Sequence, residues 1–334
     1  SSGTGNSGVN FNGGNVRVFG NNVTINATAN TASGQTGFGF RSVIGPGAGN
    51  TITAAGNLFI TGTVNGAGSG TAVAQQSTSW QNLVNAYTTG GNLSITGSNN
   101  AFASNTSPTI TMAGVQARAG GDLTVSATTN NAATDAISIY SASYLSGGVA
   151  PGYQGGASSF VSTGGNTIIK SNQGSILIQD GVPNSVTSTT ITGKNVIIDN
   201  TGGTFTGGVF TAGNGTSTRA DRAGVQISDS LASNDLYLTS NTTLRTITAS
   251  DTIGQVVLSG KSTSSSTSSQ GVRIGSTVSF VAPTTSLLGT STASNGISTT
   301  AAIAASGHIG LTGERTNVTP GVGLNIGAAI STTG

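Results

Sequence analysis

Across 334 residues there is no cysteine and a single histidine, His308. The first absence excludes a disulfide framework, thiolate metal sites and a cysteine nucleophile. The second leaves a zinc site or a Ser-His-Asp triad short of ligands and partners. Charge is scarce as well: Asp, Glu, Lys and Arg make up 6% of the chain, against about 25% in an average soluble domain. Eleven Lys+Arg against nine Asp+Glu leave a net charge of +2. Arg17, Arg41, Arg118, Lys170 and Lys194 stand singly and only Arg219 and Arg222 are close. The clustered positive charge that displaces counterions from nucleic acid is therefore missing. No apolar run is long enough to span a bilayer as a helix. The chain opens at Ser1-Ser2-Gly3 without a charged n-region or an apolar h-region, so no signal peptide is visible. It ends partway into a pattern described below, and an excerpt of a longer protein is expected.

What is abundant is glycine, with 53 residues, beside Ser, Thr and Asn. Disorder would pair such a composition with high net charge and little apolar patterning. Here the apolar residues recur at period two. Gly90-Gly91-Asn92-Leu93-Ser94-Ile95-Thr96-Gly97 returns as Gly120-Gly121-Asp122-Leu123-Thr124-Val125-Ser126 and as Gly56-Asn57-Leu58-Phe59-Ile60-Thr61-Gly62. Each copy is a glycine corner, a small polar residue and a short strand with two side chains on one face. So short a strand is unstable alone, and self-similarity of this kind marks a repeat architecture. Val16/Val18 and Val23/Ile25 begin the series; the copies at Asn166–Lys170, Gly174–Ile178, Gly193–Ile198, Asn234–Thr239, Gly254–Leu258 and Gly307–Gly313 continue it. The near-continuous apolar runs Ile168-Ile169, Ile176-Leu177-Ile178 and Ile197-Ile198 predict strands covered on both faces by a loop packed outside.

A second motif, Gly-Val-x-Ile, interleaves with the first at Val115, Val225, Val272, Ile297 and Val322. The last three are 25 residues apart (297 − 272, 322 − 297). Two strand types on two sides of one coil of about 20–25 residues predict an all-β fold, a single-stranded parallel β-helix (β-solenoid) of about 13–16 coils. Stacking at ~4.8 Å makes this a rod of about 60–75 Å. One continuous solenoid over 1–334 is expected, with irregular, loop-rich segments near 65–80, 127–165 and 259–270. No stretch carries a strong helical period; 75–87 comes nearest.

The glycine-led Gly-Gly-Asn-Leu-x-Ile-Thr-Gly copies, alternating with Gly-Val-x-Ile copies, resemble the repeat regions of filamentous-haemagglutinin-like exoproteins. The resemblance runs over essentially the whole chain, weakening at 127–165. It implies a right-handed parallel β-helix shaft of a large bacterial adhesin, extracellular or at the cell surface and exported by two-partner secretion through an outer-membrane transporter. With one histidine, no cysteine and no Gly-Gly-x-Gly-x-Asp calcium-binding repeat, no metal and no cofactor are expected. The partners implied are host-cell, other-cell or surface glycans and proteins, or copies of the chain itself. The family's secretion domain is not recognisable in these residues.

Three other functions compete with an adhesin shaft. A polysaccharide-active enzyme needs convergent carboxylates, but Asp122, Asp135, Asp180, Asp199, Asp221, Asp229, Asp235, Asp251 and Glu314 are dispersed. Asp122, Asp235 and His308 occupy the corner slot of Asn57 and Asn92, where a small polar side chain is expected to bond its own turn. Thr51-Ile52-Thr53, Thr109-Ile110-Thr111, Thr190-Ile191-Thr192 and Thr246-Ile247-Thr248 resemble the rows of ice-binding solenoids, but at irregular spacing, so ordinary exposed strand positions are expected. An extracellular filament built by end-to-end stacking is the alternative to an adhesin shaft. The binding candidates are the aromatics of the interrupted region, Trp80, Tyr140, Tyr144 and Tyr153, and the charge cluster at Arg219 and Arg222. The aromatics are expected to cover the shaft's flank, and the cluster to be a solvated loop with a local ion pair.

Overall fold

The structure, a computed structural model, describes residues 7–12, 16–30, 35–42, 50–65, 70–77, 85–100, 107–140, 158–179, 189–228, 245–275, 277–317 and 322–333. These contain no helix; the strands form three parallel sheets of ten, ten and nine strands and one two-stranded hairpin. The chain visits the sheets in turn, so each of the first nine coils contributes one strand to each side of a triangular prism, and the tenth contributes to sheets A and B. Sheet A begins with β1 (Ser7–Asn12) and β4 (Gln35–Ser42), sheet B with β2 (Arg17–Gly20) and β5 (Thr51–Ala54), and sheet C with β3 (Val23–Ala29) and β6 (Leu58–Val64). This is a parallel β-solenoid.

The three glycine-led copies stack directly on one another. In sheet C, Leu58 is in register with Leu93 of β9 (Leu93–Asn99), and Leu93 with Leu123 of β12 (Leu123–Thr129). Ile60, Ile95 and Val125 form the next column. All six are essentially inaccessible, each contributing about 1.5–3 kcal/mol of transfer free energy.

The coil count is lower than the repeat spacing predicts. Among the described residues sheets A and B each hold ten strands, which makes ten rungs and a rod of roughly 45 Å rather than 13–16 coils and 60–75 Å. The 25-residue spacing belongs to the shortest coils. Successive partners in sheet C are 35 residues apart from Val23 to Leu58, 44 from Leu123 to Thr167 and 60 from Val196 to Val256. The difference is chain that leaves the coil, visible only once the register is known.

Two further expectations are corrected, and the stretch that comes nearest to a helical period is strand at both ends. The surface excursion at 65–80 contains β7 (Gly70–Ser77), a strand of sheet A with Ala72 and Val73 inaccessible; its Gly, Ala and Ser suit a tight interior. Gln75 to Ser77 belong to that strand, and β8 (Asn85–Thr89) follows, so the ends of the 75–87 helix candidate are strand. The Gly-Val-x-Ile copies do not share one side of the coil: Val115 lies in sheet B, whereas Val225, Val272 and Ile297 stack in sheet A. Ile297 then pairs with Leu324 instead of Val322, which is 53% exposed.

The corner residues also do something the sequence did not suggest. Asn22, Asn57, Asn92 and Asp122 bond to the next coil instead of their own turn. Their Oδ1 atoms accept the backbone N–H of Asn57, Asn92, Asp122 and Asn166 at 2.8, 2.8, 2.8 and 2.7 Å. The ladder continues as Asn195 Nδ2 donates to Asn166 Oδ1 at 2.8 Å and Gln255 N to Asn195 Oδ1 at 3.0 Å. Thr284 and His308 take the same register position in the following rungs. Parallel stacking carries each corner N–H away from its own side chain and over that of the coil before. Asn92→Leu removes one such acceptor on the exposed flank. It is expected to lower unfolding stability by about 1 kcal/mol in a urea titration, with no change of fold by circular dichroism.

The Thr-x-Thr triplets fall into order as well. Thr190 pairs with Thr246 and Thr192 with Thr248 in sheet B, and the register through Ala86, Gln116 and Ser159 places Thr51 in the same column. Thr109-Ile110-Thr111 leads into and through sheet A instead. Ala86, Gln116, Ser159 and Arg118 interrupt the rows, so this face is an ordinary solvated sheet face.

Candidate functional site

Among the described residues, the longest interruption of the coil builds a surface of its own. It starts at Asp199, the last residue of β18 (Val196–Asp199). Asp199 Oδ1 accepts Thr201 N at 3.1 Å and Thr201 Oγ1 at 2.7 Å, and its Oδ2 accepts Gly203 N at 2.6 Å. That turn lifts the chain out of sheet C into a hairpin of β19 (Thr204–Thr206) and β20 (Val209–Thr211). Gly207 and Gly208 connect the two with φ of 58° and 80°, the pair of positive values a two-residue type I′ turn requires. Phe205 and Phe210 are cross-strand partners and so share one face.

That face lies over the outside of sheet C. With Ile168 and Lys170 of β15 (Thr167–Ser171) and Ile197 and Asp199 of β18, the two phenylalanines line a groove of about 190 Å³. The double-sided apolar runs at 168–169 and 197–198 are thus covered on the outside, as their pattern predicts. The hairpin tip is tied down by Gln255 Nε2, which donates to Gly208 O at 2.5 Å. On the far side of the same insertion, a second groove of about 380 Å³ includes Lys261 and Glu314.

The insertion then returns through the charge cluster. Ser217 N donates to Lys261 O at 2.9 Å and Thr218 N to Ala132 O at 2.9 Å. Arg219 grips Asp221 with Nε–Oδ1 at 2.8 Å and Nη2–Oδ2 at 3.3 Å. Its Nη1 reaches Asp135 Oδ2 at 3.0 Å, and Arg222 lies 3.9 Å from Asp135 and 3.3 Å from Asp221. The expected local pair is therefore there, but the cluster is not simply a solvated loop. Asp135 opens β13 (Asp135–Tyr140), is buried, and belongs to a coil 84 residues away from Arg219 (219 − 135). No spacing rule joins those positions.

The two carboxylates are pushed in opposite directions. Burial raises the Asp135 pKa, with Arg219 and Arg222 pulling the other way. The Arg219 hydrogen bond lowers that of Asp221. A folded-state pKa above the unfolded value near 3.9 gives Asp135 a stability contribution that is full below that value. The contribution is lost as pH rises through the folded pKa. The stability of the native chain relative to its Asp135→Asn variant is therefore expected to fall in chemical denaturation as pH rises above the ordinary carboxylate value of about 4. A gap that widens with rising pH would contradict this.

Of the other binding candidates, Tyr140 is 9% exposed and packs with Ala113 and Leu177 on the outer face of sheet A, where it covers the flank. Trp80, Tyr144 and Tyr153 lie outside the described residues. Tyr87 is a core residue, stacked on Phe40 with centroids 5.2 Å apart. Among the described residues, no three of His, Asp and Glu gather into a set that could hold a metal ion. Asp180, Asp229 and Asp235 lie outside those residues. Lys170, Phe205 and Phe210 were missed from the sequence, although Thr204-Phe205-Thr206-Gly207-Gly208-Val209-Phe210-Thr211 carries a readable signal: two Phe-bearing runs around Gly-Gly. Compared with protein-family models, with curated proteins and with solved structures, the chain matches none.

Proposed function

We propose that this chain is a segment of a rigid shaft in a large secreted or surface-exposed bacterial adhesin, and that the insertion on sheet C is a contact surface it presents. The observation that carries the reading is the relation between core and insertion. One apolar core runs through nine rungs, from Val23 to Ala305, while the chain that leaves the coil is built outward and fastened to the shaft. A solenoid whose coils contact only their neighbours transmits load along its axis and tolerates such insertions. Tight glycine corners, the inter-coil asparagine ladder and the resemblance to filamentous-haemagglutinin-like repeats support the same reading. Export by two-partner secretion belongs to that resemblance.

The reading is tested by coating beads with the purified chain and measuring their retention under flow on epithelial and bacterial cell layers. Retention well above that of uncoated beads is expected, with loss when 204–211 is replaced by a two-residue turn that leaves the circular dichroism spectrum unchanged. Retention no better than that of uncoated beads would remove the adhesive reading. Regular end-to-end polymers of the chain in electron micrographs would favour the filament alternative.

A further inference from the structure

We propose that the groove beneath the 204–211 hairpin is a subsite for one uncharged sugar ring, held between the shared face of Phe205 and Phe210 and the outside of sheet C and hydrogen-bonded by Lys170. The proposal deepens the adhesive reading and rests on it. Three properties of the groove point to this class of ligand. Its accessible apolar walls are the two phenylalanines and Ile168, with the buried Ile197 behind them, and such walls suit the C–H face of a pyranose. Its charge is balanced. Lys170 and Asp199 are register neighbours in adjacent rungs, and among the described residues Lys170 makes no ion pair. Asp199 already accepts three bonds from its own turn, which leaves Lys170 as the donor with capacity to spare. A charged ligand would be opposed by one of the two side chains, whereas a neutral polyol is opposed by neither. Its volume, about 190 Å³, lies below the ~300–1,000 Å³ of pockets for drug-sized ligands and suits a single ring.

The groove is also fixed in advance. The Asp199 turn holds one end of the hairpin and the Gln255 bond to Gly208 holds the other, so little ordering is required when a ligand enters. The second groove repeats the balance of charge, with Lys261 and Glu314. It lies on the same outer face of sheet C, on the other side of the insertion.

Saturation-transfer NMR of the whole chain tests the proposal, with the methyl glycosides of glucose, galactose, mannose and N-acetylglucosamine and with methyl glucuronide as the charged probe. At least one neutral glycoside is expected to receive saturation from the aromatic resonances, with a Kd on the order of millimolar. Lys170→Met should weaken that binding about tenfold, the loss of one charge-assisted hydrogen bond, with an unchanged circular dichroism spectrum. Three results would overturn it: no binding by any neutral glycoside, tighter binding by the glucuronide than by methyl glucoside, or a Lys170→Met variant that binds as the native chain does. Bead retention without glycoside binding would remove the subsite and leave the adhesive reading in place. Glycoside binding without retention would remove the adhesive reading alone.

Discussion

Val125→Asp is expected to destabilise the solenoid by ~4 kcal/mol, because it places an unpaired carboxylate inside the core. Val125 is inaccessible and stands in a column between Ile95 and Ile169. Nothing in that column can pair with a charge. The damage should be local, since each rung contacts mainly its neighbours. Limited proteolysis of the variant should therefore cut first near β12 and leave the flanking rungs as resistant fragments. Urea unfolding should lose a single cooperative transition and show an earlier step. A variant with the native midpoint and no new cleavage site would contradict the core assignment.

The second large effect concerns glycine. The Gly that closes each Leu-x-Ile-Thr-Gly copy belongs to a column of small residues in sheet C: Ala27, Gly62, Gly97, Ala127 and Ser171 in one run, then Gly260, Gly289 and Gly313 in another. At Gly62, Gly260, Gly289 and Gly313 sheet C approaches the backbone of the sheet A side of the coil. A Cβ on Gly62 would fall on Ala72 O, and one on Gly260, Gly289 or Gly313 on the carbonyl of Gly271, Gly296 or Gly323. Backbone of a neighbouring strand cannot step aside as a flexible side chain can. Gly289→Ala is therefore expected to cost at least ~3 kcal/mol, the upper part of the range for overpacking.

A control lies one rung further on. Gly310 is on β29 (His308–Arg315), and a Cβ there would meet nothing nearer than Thr285 O at 3.9 Å. Gly310→Ala should leave stability unchanged or raise it by up to ~1 kcal/mol by restricting the unfolded chain. Equal effects of the two substitutions in guanidinium titrations would sink the close-approach account.

The same column shows how far a sequence like this can be read. The strand template, the inward Leu and Ile, the glycine corners and the outer cover at 168 and 197 all follow from alternation and local chemistry. Local signals stop at the edge of a coil. Leu93 and Leu123 are a rung apart at 30 residues, whereas Val196 and Val256 are a rung apart at 60, so the number of coils could not be had from the spacing of the clearest copies. Asn92 was recognisable as a corner residue, but its partner, the N–H of Asp122, is named only by the stacking. The terminal Gly of each copy looked like punctuation until the neighbouring sheet supplied a carbonyl beside it. The candidate site divides in the same way. Phe205 and Phe210 around Gly207-Gly208 form a local hairpin signal, while Lys170 and Asp135 join the site and its charge cluster only through coils folded elsewhere.

Distances along the axis test the shaft most directly, and the absence of cysteine makes them simple to obtain. Thr24, Thr124 and Ser286 occupy one outward column of sheet C at the first, fourth and eighth rungs. Pairs of spin labels on cysteines at these positions should lie roughly 14 Å apart for 24/124, 19 Å for 124/286 and 34 Å for 24/286, at ~4.8 Å per rung. The two shorter distances should sum to the longest, because the three sites are collinear. Distances that scale with the 100 and 162 residues of intervening chain (124 − 24, 286 − 124), or that fail to add, would contradict the stacked shaft on which the functional reading depends.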